Sequence, residues 1–345
     1  MEPVERAHAA HALGAVGGME DVPALLRVVG LRGKPAPLIN RSAALALGRM
    51  AAHLGAEDRA LVAARLKIAF HRVRDDSLRG FVLMTLADLA LEDLRRGARG
   101  VLLDAQAGQM LLVLAARGRW AQRPWAALAL ARVARAIGSK SSVPALAALR
   151  TQALAVLRAG AVSPAMRPRW RAAYALGGGV AGGDAGWKSL LGIACDVQQD
   201  PELRAYAALG LGVWGIEARE VVEGLEHVVA TADFPLLIKQ ASKALGLLGA
   251  GHEQAVVRAR LARTRGITAR VDLVLALGRT GDERVVQPLL SLLEDEDEQD
   301  LVRALACVSL GLVADMQFRP SLARLSAHCD YRACTDVMME ALSIL

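Results

Sequence analysis

Glycine-rich stretches are where a backbone can wrap a phosphate, and this chain of 345 residues has two of them. The first, GGGVAGGDAGWKS at Gly177–Ser189, lacks the Gly directly before Lys that a phosphate loop needs, because Trp187 stands before Lys188. No strand signal leads into it, so it reads as an inter-helix loop. Gly210, Gly212 and Gly215 satisfy GxGxxG by letter, yet they fall inside a helical phrase, where a dinucleotide turn has no strand to grow from. His8 and His11 are three apart and share a helix face, but no third metal ligand is nearby. Cys195, Cys307, Cys329 and Cys334 form neither a C-x-x-C pair nor a regular framework. They read as buried structural thiols in a reducing compartment. On these residues no catalytic, cofactor-binding or metal site is expected, and the chain is expected not to be an enzyme.

Charge offers other candidates. The formal charge is +7, spread along the chain and carried mostly by Arg. RRGARG (Arg95–Gly100), RPRWR (Arg167–Arg171) and RARLARTRG (Arg258–Gly266) are candidate phosphate contacts, and Trp170 lies between arginines where a base could stack. Solvated helix ends explain them equally well. The acidic run EDEDEQD at Glu294–Asp300 precedes a helix starting near Leu301, where negative charge suits the N-terminal dipole; a solvated loop is the expectation, cation or basic-partner binding the alternative.

The elements that would carry these residues repeat. A basic residue followed by an Ala-rich helix and Leu-Gly recurs as RAHAAHALG, RSAALALG, RAAYALG, RAYAALG, KQASKALG, RVDLVLALG and RALACVSLG. Gly14, Gly48, Gly177, Gly210, Gly246, Gly278 and Gly311 thereby share one register, and the last five are 32 to 36 residues apart. Ala87 and Ala131 take the same position in two degenerate copies at longer spacing, and a tenth copy runs from Ala333. Between copies lie amphipathic segments such as EDVPALLRVV and ERVVQPLLSLL. Two helices per period make a hairpin, which buries its apolar faces only by stacking on neighbours. Apolar residues at 54% with aromatics at 3% fit helices built from small and aliphatic side chains. The register glycines are expected to admit a neighbouring backbone, Gly17, Gly249 and Gly281 to end helices in the left-handed conformation, and Pro23, Pro144 and Pro288 to start the alternate helices.

These phrases resemble HEAT repeats, in particular the bacterial variety found in phycobilin lyases, over essentially the whole chain. The resemblance implies an all-α, right-handed superhelical solenoid over 1–345, with regular repeats at 1–91, longer inserts at 92–170 and regular repeats at 171–345. It further implies that the Arg-Ala-Leu-Gly helices line a concave wall carrying Arg41, Arg79, Trp125, Arg171, Tyr174, Arg204, Tyr206, Lys239, Lys243, Arg270 and Arg303. The basic residue recurs six to eight positions before the small one, as Arg6, Arg41, Arg79, Arg123, Arg171, Arg204, Lys239, Arg270 and Arg303. In such families it commonly bonds within or between repeats; a structural ladder is the first expectation, a partner-facing stripe the second. The inserts around Leu94–Arg123 and Arg158–Arg169 flank Trp120, Trp125 and Trp170, a combination typical of binding hot spots. HEAT-like deoxyhypusine hydroxylases hold two irons through several His-Glu pairs, whereas His252-Glu253 is a single pair here.

The expected function is therefore a scaffold that binds a protein or peptide on its concave helix face through Arg41, Arg79, Trp125, Trp170, Arg171, Tyr174, Arg204, Tyr206, Lys239, Lys243 and Arg270. Nucleic-acid binding in a basic cleft, as in HEAT-like DNA glycosylases, is the alternative, and a phycobilin-lyase-like enzyme a more distant one. Mean hydropathy is +0.30. The charge-free runs Ala105–Ala116, Ala172–Gly183 and Ala205–Ile216 are nevertheless too short to span a bilayer, and Glu2, Glu5 and Arg6 stand where a signal peptide would open, so a cytoplasmic location is expected. The chain opens in a concave-type helix and finishes in the apolar ACTDVMMEALSIL without a polar capping repeat, which predicts part of a longer array and end-to-end self-association.

Overall fold

The computed structural model describes residues 3–30, 37–96, 104–139, 141–183, 186–216, 218–248, 253–279 and 282–315. Among them are 17 α-helices, three short 3-10 turns and no strand. The chain divides into two compact units, Met1–Ser163 and the residues from Pro164 onward. The first holds α1 (Pro3–Val16), α2 (Val22–Gly30), α3 (Pro37–Arg49), α4 (Ala56–Arg72), α5 (Asp76–Arg95), α6 (Asp104–Arg117), α7 (Arg123–Ile137) and α8 (Pro144–Val162). The second holds α9 (Pro168–Ala181), α10 (Trp187–Cys195), α11 (Pro201–Trp214), α12 (Arg219–Thr231), α13 (Pro235–Leu248), α14 (Glu253–Arg263), α15 (Ile267–Arg279), α16 (Val286–Glu294) and α17 (Asp300–Asp315).

Proline opens most of these helices because its missing N–H costs nothing in the first turn: Pro23, Pro144 and Pro288 lie there as expected. Within each unit an even-numbered helix pairs with the odd one after it, except α8, which packs on α6 and α7, and the helices stack into two rows. The odd helices, which carry the Ala-Leu-Gly phrases, make the intimate row: α1, α3, α5 and α7 in the first unit, α9, α11, α13, α15 and α17 in the second. The even helices pack more loosely beside them. Both units are all-α solenoids.

What sets the odd row apart is how near its backbones come. A Cβ on Gly14 would lie 2.7 Å from the Ala46 Cα, one on Gly212 2.4 Å from the Ala244 Cα, and one on Gly278 2.6 Å from the Ser309 Cα. The tightest crossing is at Gly179, where a Cβ would meet the Gly210 carbonyl oxygen at 2.1 Å. Two of these four glycines, Gly14 and Gly278, occupy the register position; Gly179 and Gly212 lie two residues past it, and a Cβ on Gly311 would meet nothing within 4 Å. Two residues before the register, where other copies have alanine, hydroxyls bond across the row: the buried Thr85 hydroxyl donates to the Ala44 carbonyl (2.7 Å) and Ser309 to that of Val274 (2.9 Å).

Several expectations change here. Gly177, Gly178 and Gly179 belong to α9 rather than to a loop, since α9 runs on to Ala181, and only Gly182 and Gly183 turn out of it at positive φ. Gly17 ends α1 without positive φ; Gly215 (φ 79°) is the left-handed residue, closing α11. Gly249, Gly281, His252 and the copy from Ala333 to the C-terminus lie outside the described residues. Among the described residues one helix, α8, is long and apolar enough by length and composition to cross a membrane. It includes Arg150 and Arg158 and packs on α6 and α7 through a side that buries Leu149, Ala153 and Leu157.

Gly179→Ala is expected to destabilise the chain by about 1–3 kcal/mol, because the new methyl must push a backbone aside. Gly192→Ala, on a helical site where a Cβ meets nothing within 4 Å, should gain about 0.5–1 kcal/mol. Thermal unfolding followed by circular dichroism separates the two signs.

Candidate interaction surface

Helix C-termini leave carbonyl oxygens without partners, and the stacked pairs bring the basic register residue of α5, α7, α11, α15 and α17 to the end of the even helix before it. Arg79 Nε donates to the Phe70 carbonyl (3.3 Å), Arg204 Nε to that of Ala194 (3.0 Å) and Arg303 Nε to that of Leu293 (3.0 Å). Arg270 donates to the Leu261 and Thr264 carbonyls (3.1 and 2.8 Å), and Arg123 to that of Gly118 (2.8 Å) just past α6. The same register reaches forward to the next odd helix. Arg41 pairs with Asp75 at 3.8 Å, Lys239 with Asp272 at 3.2 Å, Arg171 bonds Gln199 at 3.2 Å, and Arg270 pairs with Glu298. These side chains form a ladder that ties even helix to odd and odd to odd.

Other expected site residues are interior. Trp125, Tyr174, Tyr206 and Lys243 are 6%, 1%, 1% and 4% exposed, which leaves them no face for a partner. Trp125 lies flat against the α5 backbone, where a Cβ on Gly80 would stand 2.2 Å from the indole, and it meets Phe81 at 5.2 Å between ring centroids. In the second unit residues 172–177, 205–212 and 240–246 are buried at every position. Trp170 is half-buried, with the Arg167 guanidinium 5.5 Å from its ring. Glu298, expected in a solvated loop, is held by Arg270, while Asp300 opens α17 fully exposed. Cys195 is half-buried and burial pushes its thiol up; Cys307 is exposed rather than buried, and Cys329 and Cys334 lie outside the described residues.

In the first unit the odd row leaves a stripe of at least partly accessible side chains on each of three helices: Leu38, Arg41, Leu45 and Arg49 on α3, Phe81, Asp88 and Glu92 on α5, Arg132 and Arg135 on α7. Asp88 sits at the centre. Its carboxylate lies over Gly48, where a Cβ would come within 2.7 Å, and takes a 2.5 Å ion pair from Arg132. Burial pushes this carboxyl above the ordinary range, against the opposing pull of Arg132 and Arg49. Arg49, Asp88 and Arg132 each follow the register residue directly, so an alternation of charge down the row was visible in the sequence at that position.

A second polar centre had no signal. Arg59 of α4 and Asp93 of α5 are 1% and 4% exposed and pair at 2.5 Å, and Arg59 also donates to the Leu54 and Ala51 carbonyls. Arg96 reaches the Ala52 carbonyl from the end of α5. Two arginines thus satisfy the chain between α3 and α4. Among the described residues no group of three or more His, Cys, Asp or Glu gathers as metal ligands.

The described residues build an all-α solenoid of stacked helix pairs in each unit. No family model matches the chain, and no curated protein sequence matches it either. Among solved structures it is similar to Escherichia coli YibA, at 15% identity over 84% of this chain and 92% of that one with a TM-score of 0.46. It is also similar to human deoxyhypusine hydroxylase in complex with glycerol, at 19% identity over 88% of this chain and 99% of that one with a TM-score of 0.34. The expectation that the chain is not an enzyme is corrected on this point: an enzyme stands among these helical-repeat matches, so the build of the chain does not exclude catalysis.

Removing Asp93 as Asp93→Ala should cost about 3–5 kcal/mol by stranding the buried Arg59, whereas a paired Arg59→Met, Asp93→Leu exchange should cost far less; urea unfolding of the three chains measures the difference. His11 supplies a pH test. Burial, with Arg49 and then His8 adding repulsion, holds its imidazole below the usual value of 6.5. Between that lowered value and 6.5 the unfolded chain binds more protons, so stability falls as pH drops through the window and is fully present above it. His11→Gln should flatten the dependence of the melting temperature on pH between about pH 5 and 8.

Proposed function

We propose that the chain is an interaction scaffold that grips a protein or peptide along the odd-helix row, with the working face in the first unit. The observation that carries this is the set of stripes on α3, α5 and α7: aliphatic, aromatic and charged side chains stay accessible on helices whose remaining sides are buried. Arg41, Leu45 and Arg49 lie four apart on one helix face, beside Phe81 and the Asp88–Arg132 pair, a mixture of apolar anchor and charge that suits a polypeptide ligand. Arg41 is both ladder and surface, since its side chain stays 36% exposed while pairing with Asp75. Arg79, Arg171, Arg204, Lys239 and Arg270 serve chiefly the ladder in this reading, and Trp170 adds a half-exposed aromatic in the second unit. A cytoplasmic location fits the exposed thiol of Cys307.

The test is a pull-down from host lysate with tagged wild-type chain and a Leu45→Glu, Arg49→Glu variant, each with and without nuclease. A protein retained by the wild type after nuclease treatment and lost by at least tenfold from the variant is the expected result; roughly 1.4 kcal/mol corresponds to each tenfold. A partner recovered only with intact nucleic acid would put the nucleic-acid reading in its place.

A further inference from the structure

The edge of the first unit where even helices turn into odd ones is a second surface. The turns into α5 and α7 open on the same edge, because odd helices run in one direction and α5 packs directly on α7. Neighbouring helix axes are about 8–10 Å apart, so the two turns are side by side. Arg72 and Arg74 stand exposed on one, Arg117 and Arg119 on the other. None of the four guanidiniums makes an ion pair or hydrogen bond among the described residues, while the acids next to them in the sequence are already used: Asp75 caps α5 and pairs with Arg41, and Asp76 pairs with Arg79. Between the arginines Trp120 is 43% exposed, with the Arg123 guanidinium 4.1 Å from its ring centroid and fixed there by its bond to the Gly118 carbonyl. The N-terminus of α7 has no side-chain cap and no acid in its first turn, which leaves its positive end to add to the field.

Arginine-rich composition does not account for this concentration, because charge at this turn differs from loop to loop. The corresponding turns into α11 and α17 hold Asp196 and Asp200, and Asp295 and Asp297. An exposed indole braced by arginine is an apolar anchor inside a cationic rim. We propose that this edge binds an acidic segment of a protein partner, one that carries an apolar residue to set against Trp120 among its carboxylates. The inference rests on the scaffold reading and names the chemistry of the partner. Carboxylates answer the four unpaired guanidiniums, and arginine's planar fork matches them bidentately.

The experiment is fluorescence anisotropy on the full chain with a fluorescein-labelled peptide of alternating Asp and Glu around one central Leu, beside a labelled oligo-dT of equal charge. The peptide is expected to bind at low salt, to weaken as the Debye length shortens, and to lose about tenfold or more in affinity with Arg72→Glu, Arg119→Glu and again with Trp120→Ala. All the substituted residues are surface groups outside the ladder, and an unchanged melting temperature verifies that the variants fold. No peptide binding, or binding indifferent to the charge reversals, overturns the assignment. Tighter, reversal-sensitive binding of oligo-dT assigns the edge to nucleic acid instead. Should the pull-down partner depend on Leu45 and Arg49 while the peptide fails to bind, the edge assignment falls alone; loss of both removes the scaffold reading with it.

Discussion

Close approach of helix backbones in the odd row is the constraint on which the rest of the molecule depends. At Gly179 and Gly212 there is no room for a methyl group between one helix and the next, and at Gly14 and Gly278 the clearance is little greater. Packing this tight excludes large side chains from the seams, which is why the row is written in Ala, Gly, Ser and Thr and why so few aromatics suffice for a core. Tightness also sets where the polar groups go. A row too close for side chains in its seams must carry them at helix ends and on the face turned from the even layer, and those are the two places where the ladder and the Asp88–Arg132 pair are found.

The ladder follows from the geometry of the hairpin. An even helix ends where the next odd one begins, so a base in the second turn of the odd helix faces orphan carbonyls and the negative end of a dipole. Arg204, Arg270 and Arg303 make that contact through nearly the same offset, nine or ten residues back along the chain. A bond of this kind contributes about 1–3 kcal/mol where it is partly shielded from water. The same arginines are thereby withdrawn from the pool of recognition groups, and the accessible surface of the first unit is defined as much by this subtraction as by what remains.

Periodicity made the helices and their pairing legible, since Gly14, Gly48, Gly246 and Gly278 all fall in the intimate row and the prolines open the helices they were expected to open. The site was less legible. Trp125, Tyr174, Tyr206 and Lys243 are interior, and no spacing rule distinguishes a ring lying over a glycine from one pointing to solvent. Gly177–Ser189 was read as one loop because three consecutive glycines are poor helix formers; the crossing at Gly210 overrides that propensity by requiring small residues inside α9. Arg59 and Asp93 are 34 positions apart, about one repeat, and their pairing depends on the depth at which α4 lies against α5, a quantity absent from the pattern of apolar residues.

Because within each unit an odd helix packs on its neighbouring odd helices, contacts join residues separated by little more than one repeat. Such a chain has little loop-closure entropy to overcome and low contact order, the condition under which helical topologies form quickly. During synthesis the first hairpins can complete their seams as soon as the following repeat emerges, with no wait for a distant strand to close a sheet. The glycine crossings that make the row stable when assembled are therefore also short-range events in the order of folding, and each is available to the nascent chain one hairpin at a time.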